Sequence, residues 1–131
     1  MASGALVRTD IDAGINLIRA LDDKGFGVAA ALWLYNGDVD NWRMIIAYRG
    51  PRKDLEKKYL DAATIAADWR KARPQEPILD LSKVKITSAD DRLIAGLGIA
   101  MRVDGLGEVR FSHNTINGIY VEDALIHRLA A

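Results

Sequence analysis

Val28-Ala-Ala-Ala-Leu-Trp-Leu-Tyr-Asn-Gly-Asp-Val-Asp-Asn-Trp-Arg-Met-Ile-Ile-Ala-Tyr48 is the stretch that decides the fold. Its two ends, Val28 to Tyr35 and Trp42 to Tyr48, are aliphatic, aromatic or alanine apart from Arg43, and Asn36 to Asn41 between them is rich in turn-forming residues. That pattern predicts an antiparallel hairpin. If paired positions sum to 77 about the loop, Trp33, Tyr35, Trp42, Met44 and Tyr48 share one face. Val28, Ala30, Leu32, Leu34, Ile45 and Ala47 share the other, with Arg43 and Arg49. Both faces are apolar, whereas a sheet with one wet side alternates apolar and polar residues, so each side of this hairpin must be covered, either by the chain's own helices, with the aromatics as core, or by another chain.

Before the hairpin, Ile11, Ile15, Ile18 and Leu21 recur at helical spacing, with Thr9 or Asp10 as the expected cap and Lys24-Gly25 as the stop. After it, Gly50-Pro51 opens a long helix whose stripe is Leu55, Tyr59, Ala62, Ala66 and Trp69. Ser82 to Thr87 reads as a short edge strand guarded by Lys83 and Lys85. Ser88 is the expected cap of a third helix carrying Leu93, Ile94, Leu97 and Met101, in which Gly96 and Gly98 signal close packing. Glu108 to Thr115 and Tyr120 to Leu129 flank Asn117-Gly118, the strongest two-residue hairpin signal. The expected fold is a single α+β domain over residues 1–131, of order α-β-β-α-β-α-β-β. Three helices accompany an antiparallel or mixed sheet of four to five strands.

The Asn117-Gly118 turn fixes a register in which paired positions sum to 235. It places Val109 opposite Ile126 and Phe111 opposite Ala124 on a core-like face that continues as His113 with Glu122 and Thr115 with Tyr120. The other face carries Glu108 with His127 and Ser112 with Asp123, beside Arg110, Leu125, Val121 and Asn114. A carboxylate that orients an imidazole beside a tyrosine is suited to binding or hydrolysing a small molecule, with His113 as base. The plainer reading is a cross-strand ion pair. Because the two histidines lie on opposite faces, no metal site is expected.

Eighteen basic residues balance eighteen acidic ones, so no overall field draws the chain to nucleic acid or anionic lipid. Locally, residues 49–73 hold eight Lys/Arg against four acids, which makes Arg49, Arg52, Lys53 and Lys57 candidate phosphate contacts. Half of the residues are hydrophobic, none is cysteine, and no stretch approaches the ~20 apolar residues of a membrane span. A cytoplasmic protein is expected, with no membrane and no cofactor. The sequence holds no phosphate loop, no His-Glu-x-x-His and no Gly-x-Ser-x-Gly.

Ala29-Ala-Ala-Leu-Trp-Leu-Tyr35, Trp42-Arg-Met-Ile-Ile-Ala47, the following helix with Tyr59 and the closing Val121-Glu-Asp-Ala-Leu-Ile-His-Arg128 resemble a group of small bacterial proteins of unassigned function. The resemblance implies a bacterial origin and a recurring α+β fold, and carries over no activity. Together these readings favour an interaction or assembly module, not an enzyme, that pairs with itself or another protein through Trp33, Tyr35, Trp42, Met44 and Tyr48. The alternatives are the His113, Glu122, Tyr120 and Thr115 patch, and nucleic-acid contact through residues 49–73.

Overall fold

The computed structural model describes residues 5–130. Its elements run α1 (Arg8–Asp23), β1 (Val28–Asn36), β2 (Asn41–Tyr48), α2 (Leu55–Ala72), β3 (Val84–Ser88), α3 (Arg92–Ala100), β4 (Val109–Ile116) and β5 (Ile119–Leu129). The strands form one sheet in the order β3-β2-β1-β5-β4. It is mixed: β3 runs parallel to β2, and the other pairs are antiparallel. Tight turns reverse the chain within the hairpins, whereas the crossover through α2 returns it in its original direction. The α+β class and the element order are those that the periodicity predicts.

The first hairpin keeps the expected register from Ala30↔Ala47 to Asn36↔Asn41. Its open end does not. A bulge between Val28 and Ala30 pairs Val28 with Tyr48 and moves Val28 onto the aromatic side, because one extra residue reverses the alternation beyond it. The sheet is then covered twice. α1 and α2 pack over Ala31, Trp33, Met44, Ile46 and Tyr48, while α3 packs over Ala30, Leu32, Ile45 and Ala47. α1 lies so close that a Cβ on Gly14 would come 2.7 Å from Met44 Cε and 3.4 Å from the Trp33 ring.

Two helix caps differ from expectation. α1 starts after Val7 without a side-chain cap, so Thr9 and Asp10 lie inside its first turn. α3 is capped by Asp91, whose carboxylate accepts from the amides of Leu93 and Ile94, while Ser88 ends β3 and hydrogen-bonds Asp90. Ser88 is a strand residue because its partner Tyr48 still lies alongside it in β2. Of the two α3 glycines, Gly96 is the packed one: a Cβ there would sit 2.6 Å from Ile116 Cγ2 and 2.7 Å from Asn117 Cβ. Gly96→Ala should therefore cost about 1–3 kcal/mol, the range for overpacking, in urea denaturation. A neutral result would mean that the β4–β5 turn yields freely.

β3 is an edge strand, with Lys85 exposed and Lys83 in the short 3-10 turn just before it. The Ile86 amide donates to Tyr59 Oη at 2.9 Å, so α2 covers part of this edge. Tyr59→Phe leaves that amide without its acceptor and should destabilise by about 1 kcal/mol, with faster hydrogen exchange at Ile86. Unchanged exchange there would show that the hydroxyl does not protect the edge.

Candidate functional site

The aromatic face is consumed by the core and is no free interface. Trp33, Met44 and Tyr48 are at most 1% exposed, and Tyr35 is also buried. Trp42 is partly buried, its ring 5.4 Å from that of Tyr35 and beneath the Arg110 guanidinium. The correction has a simple cause: three helices are enough to cover both sides of the hairpin, which sequence periodicity could not decide. Tyr35 Oη donates to Asp40 at 2.6 Å, a bond that, together with burial, pushes the hydroxyl pKa up to about 12.

The last hairpin keeps the 235 register on both sides of His113, with Ser112↔Asp123 and Asn114↔Val121. The facing differs from expectation. His113 has φ +52°, a left-handed conformation that breaks the two-residue alternation. Val121, on the partner strand, joins Ala124 and Ile126 in the second core, where simple alternation would put it on the opposite face. His113 Nδ1 meets Tyr120 Oη at 3.2 Å and does not pair with Glu122. Glu122 turns toward the first hairpin, where its Oε1 would be 2.5 Å from a Cβ on Gly37. Tyr120 and Glu122 line a cleft of about 290 Å³ with Tyr35, Asn36 and Asp38. His113 and Thr115 are exposed beside it and are not among the residues that line it.

His127 makes no carboxylate pair either. The β1–β5 register skips it, passing from Ala31↔Arg128 to Leu32↔Ile126, and its ring is fully buried. Nδ1 donates to the Gly107 carbonyl at 2.8 Å, which fixes the tautomer, and Nε2 is buried without a partner. Burial lowers its pKa. Glu108, the expected partner, instead takes a two-point ion pair from Arg8, which holds its carboxyl below the usual range. Arg110 and Asp123 form a second such pair, joined by the Ser112 hydroxyl. The sequence places Arg110 on this face but does not pair it, although it sits diagonal to Asp123 in the 235 register.

The four candidate phosphate contacts are engaged in different ways. Arg52 pairs with Asp90 and Lys57 with Asp61, Lys53 is exposed ahead of α2, and Arg49 lines a separate cleft at the start of β1. The neighbouring cations do not reinforce them: Lys58 donates to the Phe26 carbonyl and lies over the Phe26 ring, and Arg73 lies over Trp69. Among the described residues, no group of three or more His, Asp or Glu could hold a metal ion, and no helix is long and apolar enough to cross a membrane.

Among the described residues, the most exposed large apolar side chain belongs to α3. Leu93, Ile94 and Leu97 turn inward, while Ala95, Gly98, Ile99 and Ala100 face out, with Ile99 89% exposed. Comparison of the chain with protein-family models, with curated proteins and with solved structures finds no match.

Proposed function

We propose that the chain is an interaction module of a bacterial cytoplasmic protein that assembles with a second copy of itself through the outer side of α3. The observation that carries this reading is the composition of that helix: of its nine residues, Arg92 is the one charged residue. A helix that is apolar all round is normally covered all round. Here the inner side is covered by the sheet and the outer side is bare. A Cβ on Gly98 would meet nothing within 4 Å, so the backbone of a second copy has room to approach closely.

Light scattering tests the proposal. At tens of micromolar the native chain should show twice the chain mass, and Ile99→Glu should weaken that association by tenfold or more, since burying an isoleucine contributes roughly 1.5–3 kcal/mol. The thermal midpoint of the variant should barely move, because Ile99 touches little of its own chain. A native chain that stays monomeric at these concentrations sinks the proposal.

A second reading rests on the cleft beside Tyr120 and Glu122: a small-molecule site in which His113 acts through its bond to Tyr120. Native mass spectrometry would show a retained ligand that Tyr120→Phe and Glu122→Gln release. Retention by both variants would remove this reading.

A further inference from the structure

Three arginines from distant parts of the chain meet at the end of the sheet where β1 begins. Arg49 follows β2, Arg102 follows α3 and Arg128 lies near the end of β5, and together they line a cleft of about 430 Å³. That volume lies within the usual range for small-molecule sites. Gly25, Gly27 and Gly105 also line it, all with φ between +66° and +84°, so much of its wall is bare main chain.

The three arginines differ in what they have left to offer. Arg128 is committed: its side chain is 12% exposed, it grips both oxygens of Asp22 at 2.8 Å, and Nε donates to the Gly105 carbonyl at 2.7 Å. It is the fixed floor that ties the Asp22 end of α1 to the Gly105 loop. Arg49 donates once, to the Val28 carbonyl at 3.2 Å, and Arg102 once, from Nε to Asp104 at 2.9 Å. A guanidinium carries five N–H donors, so both keep most of theirs for a ligand. Three arginines against Asp22 and Asp104 leave the lining with one net positive charge. Asp22 is neutralised by Arg128, whereas Asp104 competes directly for Arg102.

We propose that this cleft binds the phosphate group of a small phosphorylated metabolite, with Arg49 and Arg102 as the two arms and the Arg128–Asp22 pair as the rigid floor. Forked guanidinium donors match the oxygens of a phosphate two at a time, which a lysine cannot do. The cleft is much larger than a bare phosphate ion, which leaves room for the organic part of an ester beside the glycines. The cleft lining shares no residue with the outer side of α3, so either proposal can fail alone.

The test is a titration of the full chain followed by amide NMR, with inorganic phosphate, glucose 6-phosphate and glucose as three separate probes. Both phosphates should shift the Gly25, Gly27 and Gly105 amides in a salt-sensitive manner, the ester should bind more tightly, and glucose should do nothing. Equal affinity for phosphate and its ester would overturn the metabolite assignment. Arg49→Gln and Arg102→Gln should each weaken binding by about tenfold, the usual scale for one charge-assisted contact, while Arg52→Gln leaves it unchanged. Asp104→Asn should strengthen it, because it frees Arg102 and raises the net charge. No shift at millimolar phosphate, shifts centred elsewhere, or an Asp104→Asn variant that binds more weakly would overturn the site itself. Arg49 and Arg102 are exposed and make one hydrogen bond each, so an unchanged thermal midpoint separates lost binding from lost folding.

Discussion

Trp33→Ala should cost about 3–5 kcal/mol and leave the chain close to unfolding, without a distinct change in subunit number in whatever remains folded. Trp33 lies on the central strand, between its pairing partners Met44 and Leu125, and is 1% exposed under α1. Removing its ring empties a volume that the close approach of Gly14 prevents α1 from refilling. With total stabilities of roughly 5–15 kcal/mol, the loss takes a large share of the whole. Trp33→Phe is the informative partner variant. The indole N–H is buried without an acceptor, so phenylalanine forfeits volume but no hydrogen bond, and it should cost about half as much. Urea denaturation of both variants checks this. A Trp33→Ala protein of native stability but altered mass would restore the aromatic face as an interface.

Acid should weaken the fold first through His127. Its pKa is lowered in the folded chain, chiefly by burial, from the ordinary value of 6.5. Below that value the unfolded chain takes up a proton that the folded chain resists, so stability is complete above about pH 6.5 and falls as the pH drops toward the lowered pKa. The paired carboxylates Glu108 and Asp123 have lowered pKa values as well, but their contribution is lost only below the ordinary carboxylate range near pH 4. The two windows are separable. His127→Phe keeps a buried ring, leaves the Gly107 carbonyl without its donor at a cost of about 1–3 kcal/mol, and should abolish the slope of stability between pH 6.5 and 5. Urea midpoints at several pH values would show it, and an acid slope identical in both proteins would rule out His127 as the source.

The hairpins illustrate what short-range pattern can and cannot carry. Asn117-Gly118 dictated the register of the last hairpin, because a two-residue turn leaves no slack, and every β4–β5 pair obeys it. Facing did not follow from register. Alternation assumes extended backbone at each residue; His113 is left-handed and does not pair with Glu122, and Val121 on the facing strand turns inward. The bulge beside Val28 breaks the alternation of the first hairpin. Neither is legible in the sequence: histidine visits the left-handed region more often than most residues but sits in extended strands far more often, and alanine gives no sign of a bulge.

The sequence by itself determined which segments are helix and strand, their order, the pairing of both hairpins and the need to cover the first on both sides. These are consequences of periods of two and 3.6 residues and of turn chemistry, all of which act over a few positions. Only the tertiary structure decided that the chain's own helices supply the cover, that α3 is left with a bare apolar side, and that Arg49, Arg102 and Arg128 surround one cleft. Those outcomes depend on how helices of particular length seat on a five-stranded sheet, and on contacts such as Asp22 with Arg128 that join residues 106 positions apart. No local pattern reaches that far.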